Sequence, residues 1–168
     1  LILDELLIEP TTKIIIFSEW ERMLFLVRDL LDKMNVGYAW HTGSVPQNKR
    51  RAEINRFKEK ADCRVFLSTD CGAVGLNLQA ANIVINLDLP WNPAKLEQRI
   101  ARAWRKHQTK KVQVINLISE GTIEHRMLWV LDLKQKLSNH VLDLGDVETM
   151  EMPSGRKAFM DQLNKIMG

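Results

Sequence analysis

The sequence predicts a doubly wound α/β domain, in which helices cover both faces of a mostly parallel sheet. Short β-branched runs alternate along the chain with amphipathic segments, and right-handed crossovers between parallel strands then place helices on both faces. The composition agrees with one compact domain, since 45% of the 168 residues are hydrophobic and 27% are charged. These values exclude a disordered or low-complexity chain.

Five apolar runs predict the strands, at residues 14–17, 38–41, 64–68, 82–87 and 111–118. The first run is too short for a helix and is apolar at every position, so we expect a strand that is buried on both faces.

Helices are predicted between these strands. Apolar residues at helical spacing indicate the first helix, at Leu24, Val27, Leu30 and Leu31, and we expect Gly37 to stop it. Pro46 suits the first turn of the next helix, and Pro93 opens another that reaches about Lys106. A stripe of apolar residues predicts a last long helix, at Ile123, Met127, Val130, Leu137 and Val141.

The hydrophobic period weakens from about Gly145. We therefore predict a domain over residues 1–144 and an appended, helical segment over residues 145–168. The chain begins at Leu1 without a methionine, and we expect it to be part of a longer protein.

Cysteine usage and hydropathy indicate an intracellular protein. Cys63 and Cys71 cannot form a disulfide framework and lack the spacing of zinc ligands, which suggests a reducing compartment and no metal site. We also expect no contact with a membrane, because no stretch approaches the roughly 18 apolar residues of a membrane span.

Positive charge is concentrated in one segment. Residues 95–111 hold seven Lys and Arg residues against one glutamate, whereas the net charge of the whole chain is only +3. Within that segment Arg102 and Arg105 are three positions apart and share one helix face. They form either a solvated basic face or a paired clamp on a polyphosphate, because the guanidinium fork matches phosphate oxygens.

The turns that follow the second and third strands also suit phosphate, because ligands of this fold bind at the carboxyl ends of the strands. Thr42, Gly43 and Ser44 offer a hydroxyl-bearing glycine turn before a helix N-terminus, although an ordinary turn with a serine N-cap has the same sequence. After the third strand, Ser68 and Thr69 lead into a glycine-bearing segment.

No G-x-x-x-x-G-K-[ST] loop occurs in the chain, so a P-loop lysine is missing. A domain with paired arginines but no P-loop is expected to supply half of an active site.

These motifs together resemble the C-terminal RecA-like lobe of SWI/SNF-type ATPases, a branch of the helicase-like superfamily two. The resemblance covers about residues 13–137, with the segments in family order: 13–18, 41–57, 68–78, the Trp-Asn-Pro signature within 90–93, and 98–105. Trp-Asn-Pro together with the Gln-Arg-Ile-Ala-Arg-Ala-Trp-Arg segment is the specific part of this match.

The resemblance implies a set of site residues. Arg105 would be an arginine finger, with Arg102 as its partner on the γ-phosphate or on acidic residues of the opposite lobe. Gln98 would organise the cleft between the lobes, and Gly75 and Asn77 would border the ribose.

The resemblance also implies contacts with the DNA backbone through hydroxyl and amide groups, at Thr42, Gly43, Ser44, Ser68 and Thr69. Arg50 could add phosphate attraction that does not depend on sequence, or it could belong to a solvated helix face.

Some positions depart from the family pattern. Ala101, Trp104 and the pair Lys106–His107 replace the more usual residues, although no arginine is lost. This variant favours the cytoplasm of a bacterium or archaeon, in association with the nucleoid, over a nucleus.

The expected function is that of the C-terminal motor lobe of an ATP-driven translocase on double-stranded DNA. ATP and Mg²⁺ would bind mainly to an N-terminal RecA-like lobe of the same parent chain, so this chain alone is expected to be inactive as an ATP hydrolase. Two alternatives remain, namely a lobe of a strand-separating helicase and a catalytically inactive copy that binds DNA or protein.

Overall fold

A computed structural model describes residues 2–70, 77–90, 92–104 and 111–119, together with Leu128. In these residues the elements are, in chain order, α1 (Ile2–Leu6), β1 (Ile14–Ser18), α2 (Glu21–Lys33), β2 (Gly37–His41), α3 (Gln47–Glu59), β3 (Cys63–Thr69), β4 (Ile83–Asn86), α4 (Pro93–Ala103) and β5 (Gln113–Asn116). The predicted stripe of the last helix and the segment 145–168 lie outside the described residues.

The five strands form one parallel sheet in the order β2-β3-β1-β4-β5, which confirms the predicted fold class. β1 lies at the centre, where Ile14 pairs with Val65 of β3 and with Ile83 of β4. All five residues of β1 are buried, as expected for a strand with neighbours on both sides and helices on both faces.

Alternate residues of the strands fill two separate cores. On one face, Ile14 and Ile16 pack in a cluster with Leu24 and Leu31 of α2, and Leu3 of α1 belongs to the same cluster. The cluster on the other face contains a different set, which includes Ile15, Phe17, Phe57 of α3 and Ala103 of α4. Helices therefore cover both faces, and the carboxyl ends of all the strands meet at one edge of the sheet.

α2 ends earlier than the sequence predicts. Asn35, with φ of 53°, follows its C-terminus, and the N–H of Val36 donates to the carbonyl of Leu31 at 3.0 Å while that of Asn35 donates to Asp32 at 3.2 Å. This is a Schellman motif, so Asn35 reverses the chain. The prediction that Gly37 stops the helix is therefore wrong. Gly37 begins β2, where an added Cβ would lie 2.3 Å from the carbonyl oxygen of Asp62.

α4 begins as the sequence predicts, at Pro93. The side chain of Asn92 caps it by accepting a hydrogen bond of 3.0 Å from the backbone N–H of Ala94. The helix ends at Ala103, before the predicted Lys106, and Trp104 is its C-cap.

α1 is a short helix that the sequence did not predict. The guanidinium of Arg64 on β3 holds the segment that follows it, donating to the carbonyls of Leu7 at 2.9 Å and Thr12 at 3.2 Å, and also to that of Glu9. Arg64 thereby satisfies carbonyls that a five-residue helix and its connection leave without helical partners.

In the part of the chain that the structure describes, β2 lies at an edge of the sheet. The backbone N–H of Trp40 faces away from β3 and donates to Oε2 of Glu53 on α3 at 2.9 Å. In the ranges that the structure describes, no helix combines the length and apolar character needed to cross a membrane.

Candidate functional site

A buried arginine lies at the centre of the carboxyl edge of the sheet. Arg99 of α4 is only 2% exposed, and its Nε and Nη2 donate to the two carboxylate oxygens of Asp70 at 2.7 and 3.0 Å. Nη2 also donates to the carboxylate of Asp88 at 3.2 Å, and Nη1 donates to the carbonyl of Asp88 at 2.9 Å and to Oδ1 of Asn86 at 3.3 Å. This arrangement uses the full fork of the guanidinium.

The partners of Arg99 connect the ends of several strands. Asp88 accepts a hydrogen bond from the hydroxyl of Ser18 at the end of β1, and its two carboxylate oxygens lie 3.0 Å from the N–H of Glu19. Nδ2 of Asn86 on β4 donates to Oδ1 of Asn116 on β5 at 2.8 Å. Together with Asp70, which directly follows β3, these contacts join the ends of four strands to α4.

The charge of Arg99 is maintained despite its burial. Burial lowers the pKa of the guanidinium, but the hydrogen bonds and charges of Asp70 and Asp88 outweigh burial and leave the pKa raised. The guanidinium also lies 5.6 Å from the centre of the Phe17 ring, a cation–π distance.

Beside this network the surface forms a small recess of about 70 Å³, lined by Phe17, Asp70, Lys95, Gln98, Arg99 and Arg102. The structure thus brings Gln98 and Arg102, two predicted site residues, to one place. Amide, ammonium and guanidinium donors fit the oxygens of a polyphosphate. The carboxylates of Asp70 and Asp88 are both bonded to Arg99, so the donor set here suits phosphate rather than Mg²⁺.

Asn77 lies close to the same helix. The N–H of its neighbour Leu78 donates to the carbonyl of Arg102 at 2.9 Å, and Oδ1 of Asn77 accepts from the N–H of Gln79 at 3.2 Å. The other two residues predicted for the nucleotide site, Gly75 and Arg105, lie outside the described residues.

The predicted DNA-binding turn after β2 is held together by its own side chains. The buried hydroxyl of Thr42 lies 2.8 Å from that of Ser44 and accepts from the indole N–H of Trp40 at 3.1 Å. The hydroxyl of Ser44 also donates to Oε1 of Glu21 at 2.6 Å. This hydrogen bond, with a further one from Thr42, lowers the pKa of Glu21.

Arg50 braces this turn from α3. Its Nε donates to the carbonyl of Val45 at 2.6 Å and its Nη2 donates to the carbonyl of Gly43 at 2.8 Å. Gly43 and Ser44 themselves are exposed. Arg50 therefore orders the loop whose backbone faces solvent.

Ser68 and Thr69 end β3 beside the turn. Nδ1 of the buried His41 lies 3.3 Å from the hydroxyl of Ser68, which donates to the carbonyl of Thr69 at 2.9 Å. The hydroxyl of Thr69 is buried and has no hydrogen-bond partner in the described part of the chain. The structure thus brings the two predicted DNA-binding segments together through His41.

Arg99, Asp70 and Asp88 were not among the predicted site residues. A signal was present, because Asp70 follows one strand, Asp88 follows another, and Arg99 adjoins Gln98 in the basic segment. The carboxyl ends of neighbouring parallel strands lie at one edge of the sheet. An ion pair between the acidic residues that follow two of these strands and an arginine of the basic segment could therefore have been predicted. Among the described residues, no group of three or more His, Cys, Asp or Glu residues could hold a metal ion.

Comparisons with known proteins agree with this architecture. The profile of the helicase conserved C-terminal domain matches residues 1–107. A RAD54-like DNA repair and recombination protein of Drosophila virilis is 35% identical over 136 residues, which cover 80% of this chain and 17% of that protein. The SWI/SNF chromatin-remodeling complex subunit snf22 of Schizosaccharomyces pombe is 34% identical over 153 residues, covering 90% of this chain and 9% of the subunit.

Solved structures are similar as well. The C-terminal part of the Fun30 ATPase domain superposes with a TM-score of 0.71 at 30% identity, covering 77% of this chain and 42% of that one. The SWI2/SNF2 ATPase core domain of Sulfolobus solfataricus gives a TM-score of 0.66 at 29% identity, covering 83% of this chain and 28% of that one.

The parallel sheet and the recess at its carboxyl edge define a RecA-like α/β lobe. The chain belongs to the helicase conserved C-terminal domain family, as the C-terminal lobe of a SWI/SNF-type ATPase. It spans less than a fifth of the length of the two curated relatives described above.

Proposed function

We propose that this chain is the second motor lobe of an ATP-dependent translocase on double-stranded DNA. ATP would bind mainly to a preceding lobe of the parent chain, and Arg102 and Arg105 would complete the site when the lobes close. The observation that carries this proposal is the recess, in which Arg102, Gln98 and Lys95 line one surface at the ligand-binding edge of the fold.

The side chains at the recess suit a role in phosphoryl transfer. ATP, when bound with Mg²⁺, supplies the phosphoryl group and a cation that neutralises its charge. Arg102 would donate its N–H groups to phosphate oxygens, and Gln98 would orient groups in the closed cleft. Because the network around Arg99 ties α4 to the ends of four strands, these donors would be held in place before the lobes close.

We further propose that the DNA backbone is held by Thr42, Gly43, Ser44, Arg50, Ser68 and Thr69. The adjacency of the two segments at the ends of β2 and β3 supports this assignment, as do the exposed backbone of Gly43 and the hydroxyl of Thr69. Contacts of this kind fix the position of a strand and carry no sequence information. The relatives' names, which refer to DNA repair, recombination and chromatin remodelling, support DNA as the partner.

ATP turnover by the full-length protein tests the proposal. Wild type, Arg105→Ala and Arg102→Ala would each be measured without DNA, with single-stranded DNA and with duplex DNA. We expect duplex DNA to stimulate the wild type, and Arg105→Ala to lose about a hundredfold in rate, which corresponds to about 3 kcal/mol of barrier lowering. Arg28→Ala, an exposed arginine of α2 that pairs with Asp29, is the matched control and should retain wild-type turnover.

Absence of DNA-stimulated turnover, or a wild-type rate in Arg105→Ala, would contradict the motor function and favour a binding module. Steady DNA-stimulated turnover by this chain alone would contradict the proposal that the chain supplies only half of the active site, since it would then need no preceding lobe.

A further inference from the structure

His41 and Ser68 are the last pair of residues that β2 and β3 hold in register. Both side chains are buried, and Nδ1 of His41 lies 3.3 Å from the hydroxyl oxygen of Ser68. The imidazole is also stacked on Phe66, with 5.5 Å between the ring centroids. After His41 the chain leaves the sheet for the turn that contains Gly43 and Ser44, so this contact joins the two strands at the point where the turn begins.

The direction of the hydrogen bond between His41 and Ser68 follows from the other partner of Ser68. A hydroxyl has one hydrogen to donate, and Ser68 donates it to the carbonyl of Thr69 at 2.9 Å. The hydrogen between the two side chains must therefore come from the imidazole. His41 thus carries a proton on Nδ1 and donates to the Ser68 oxygen, which has lone pairs left to accept it.

We propose that His41 is a positioning residue for DNA, whose hydrogen bond to Ser68 holds the turn at Gly43 and Ser44 in place beside the end of β3. The inference rests on the proposed function, because it assumes that DNA lies on this turn. Gly43 and Ser44 are exposed, whereas His41 is buried. His41 therefore acts on DNA through the turn that it supports and does not itself touch a phosphate.

The turn is supported from two directions. Arg50 ties it to α3, through hydrogen bonds to the carbonyls of Gly43 and Val45. The side chain of His41 ties the start of the turn to β3 instead. A DNA strand that contacts the ends of both strands binds more tightly when their spacing is fixed beforehand, because ordering a loop on binding costs affinity. Without the hydrogen bond to Ser68, that ordering would accompany DNA binding.

Two substitutions at His41 separate the hydrogen bond from packing. Leucine is close to the imidazole in volume but has no donor, whereas asparagine is smaller and carries an N–H group at the position of Nδ1. We expect His41→Leu to raise the Kd for duplex DNA about fivefold and His41→Asn to stay within about twofold of the wild type. The Tm should rank in the opposite order, with His41→Asn the less stable, because asparagine fills the buried site poorly. A role in packing alone would make the Kd follow the Tm.

The measurement is a titration of the full-length protein with a labelled duplex at fixed, low salt and about pH 8, where His41 is neutral. Ser68→Ala removes the acceptor and should raise the Kd as much as His41→Leu does. The double variant should bind no more weakly than either single variant, because both substitutions remove the same interaction. Phe57→Leu is the matched control. Phe57 lies in the same core, with its ring 5.2 Å from that of Phe66, so the Tm should fall while the Kd stays at the wild-type value.

Other outcomes overturn the inference. A wild-type Kd in His41→Leu would do so, as would a Kd in His41→Asn as high as that in His41→Leu, or additive losses of affinity in the double variant. If His41→Leu does not fold, Ser68→Ala decides, since a raised Kd supports the inference and an unchanged Kd overturns it.

Arg50→Ala tests the premise separately. A wild-type Kd in this variant, or no binding of the duplex by the wild type, would remove the proposed DNA surface and the inference with it. Weakened binding by Arg50→Ala together with an unchanged Kd in His41→Leu would remove the inference alone.

Discussion

Glu21 places a negative charge on the surface that we propose for DNA. Its carboxylate accepts a hydrogen bond of 2.6 Å from Ser44, which is one of the proposed backbone contacts. The N-terminal turn of α2, where Glu21 lies, favours an anion. Without DNA, Glu21 therefore accepts the hydrogen bond that the Ser44 hydroxyl would otherwise donate to a phosphate oxygen.

Substitution Glu21→Gln should strengthen binding of duplex DNA. It removes a like charge beside the phosphates, an effect of about 1 kcal/mol at 4 Å in water, so we expect the Kd to fall about fivefold. The measurement is a titration of the full-length protein with a labelled duplex at fixed, low salt, because screening by salt weakens the effect. Glu59→Gln, at the far end of α3, serves as the control. An unchanged Kd in Glu21→Gln would place DNA elsewhere on the lobe.

Residue spacing and the family resemblance singled out two of the side chains that line the recess, Gln98 and Arg102, and did not single out Asp70 or Arg99. Gln98 and Arg102 could be predicted because both belong to one helix and to a recognisable segment. Asp70 and Arg99 are 29 positions apart, and their pairing depends on how α4 packs against the end of β3. Periodicity within one element carries no information about such packing.

The end of α2 shows how one residue can determine the boundary of a helix. Asn35 adopts a positive φ, which glycine adopts freely, asparagine tolerates and other residues adopt at a cost. The following turn leads into β2, so its geometry also sets where that strand begins.

Two substitutions at Asn35 should have opposite consequences. Asn35→Ala should lower the free energy of unfolding by about 1 kcal/mol, because alanine has a Cβ and lacks the local hydrogen bonding of asparagine. Asn35→Gly should leave the free energy of unfolding unchanged or slightly raised. Urea denaturation of the two variants and the wild type measures both values. Equal destabilisation by Ala and Gly would show that the side chain of Asn35 matters rather than its backbone angle.

All five strands could be predicted because short apolar runs bounded by turns have few other interpretations, and every run except 38–41 also contains β-branched residues. α1 could not be predicted. With five residues it is below the length at which helical periodicity is visible, and Arg64, more than 50 positions away, holds the segment after it.

The stability of the whole lobe should depend on pH through His41. This side chain is buried at the end of β2, stacked against Phe66, and burial together with the charge of Arg50 lowers its pKa below 6.5. The unfolded chain therefore binds a proton at His41 at a higher pH than the folded chain does. The contribution of neutral His41 to the free energy of unfolding is therefore fully present above pH 6.5. It is lost as the pH falls from there through the pKa of His41 in the folded chain.

The free energy of unfolding of the wild type should thus fall between pH 7.5 and 5.5 by more than that of His41→Gln. The remaining three histidines are common to both proteins, so the difference between the two slopes reports on His41. Denaturant titrations at a series of pH values measure it. Parallel slopes would show that His41 takes up a proton in the folded lobe as readily as in the unfolded chain.

The carboxylate of Glu53 has a consequence that extends beyond a single molecule. Among the described strands β2 is the outer one, and the N–H of Trp40 would otherwise be open to a strand from another chain. Glu53 occupies that donor, so an incoming strand must first displace a charged acceptor before it can form a hydrogen bond there. Aggregation by edge-to-edge growth of the sheet is therefore disfavoured at this position, even when many copies of the lobe are concentrated together.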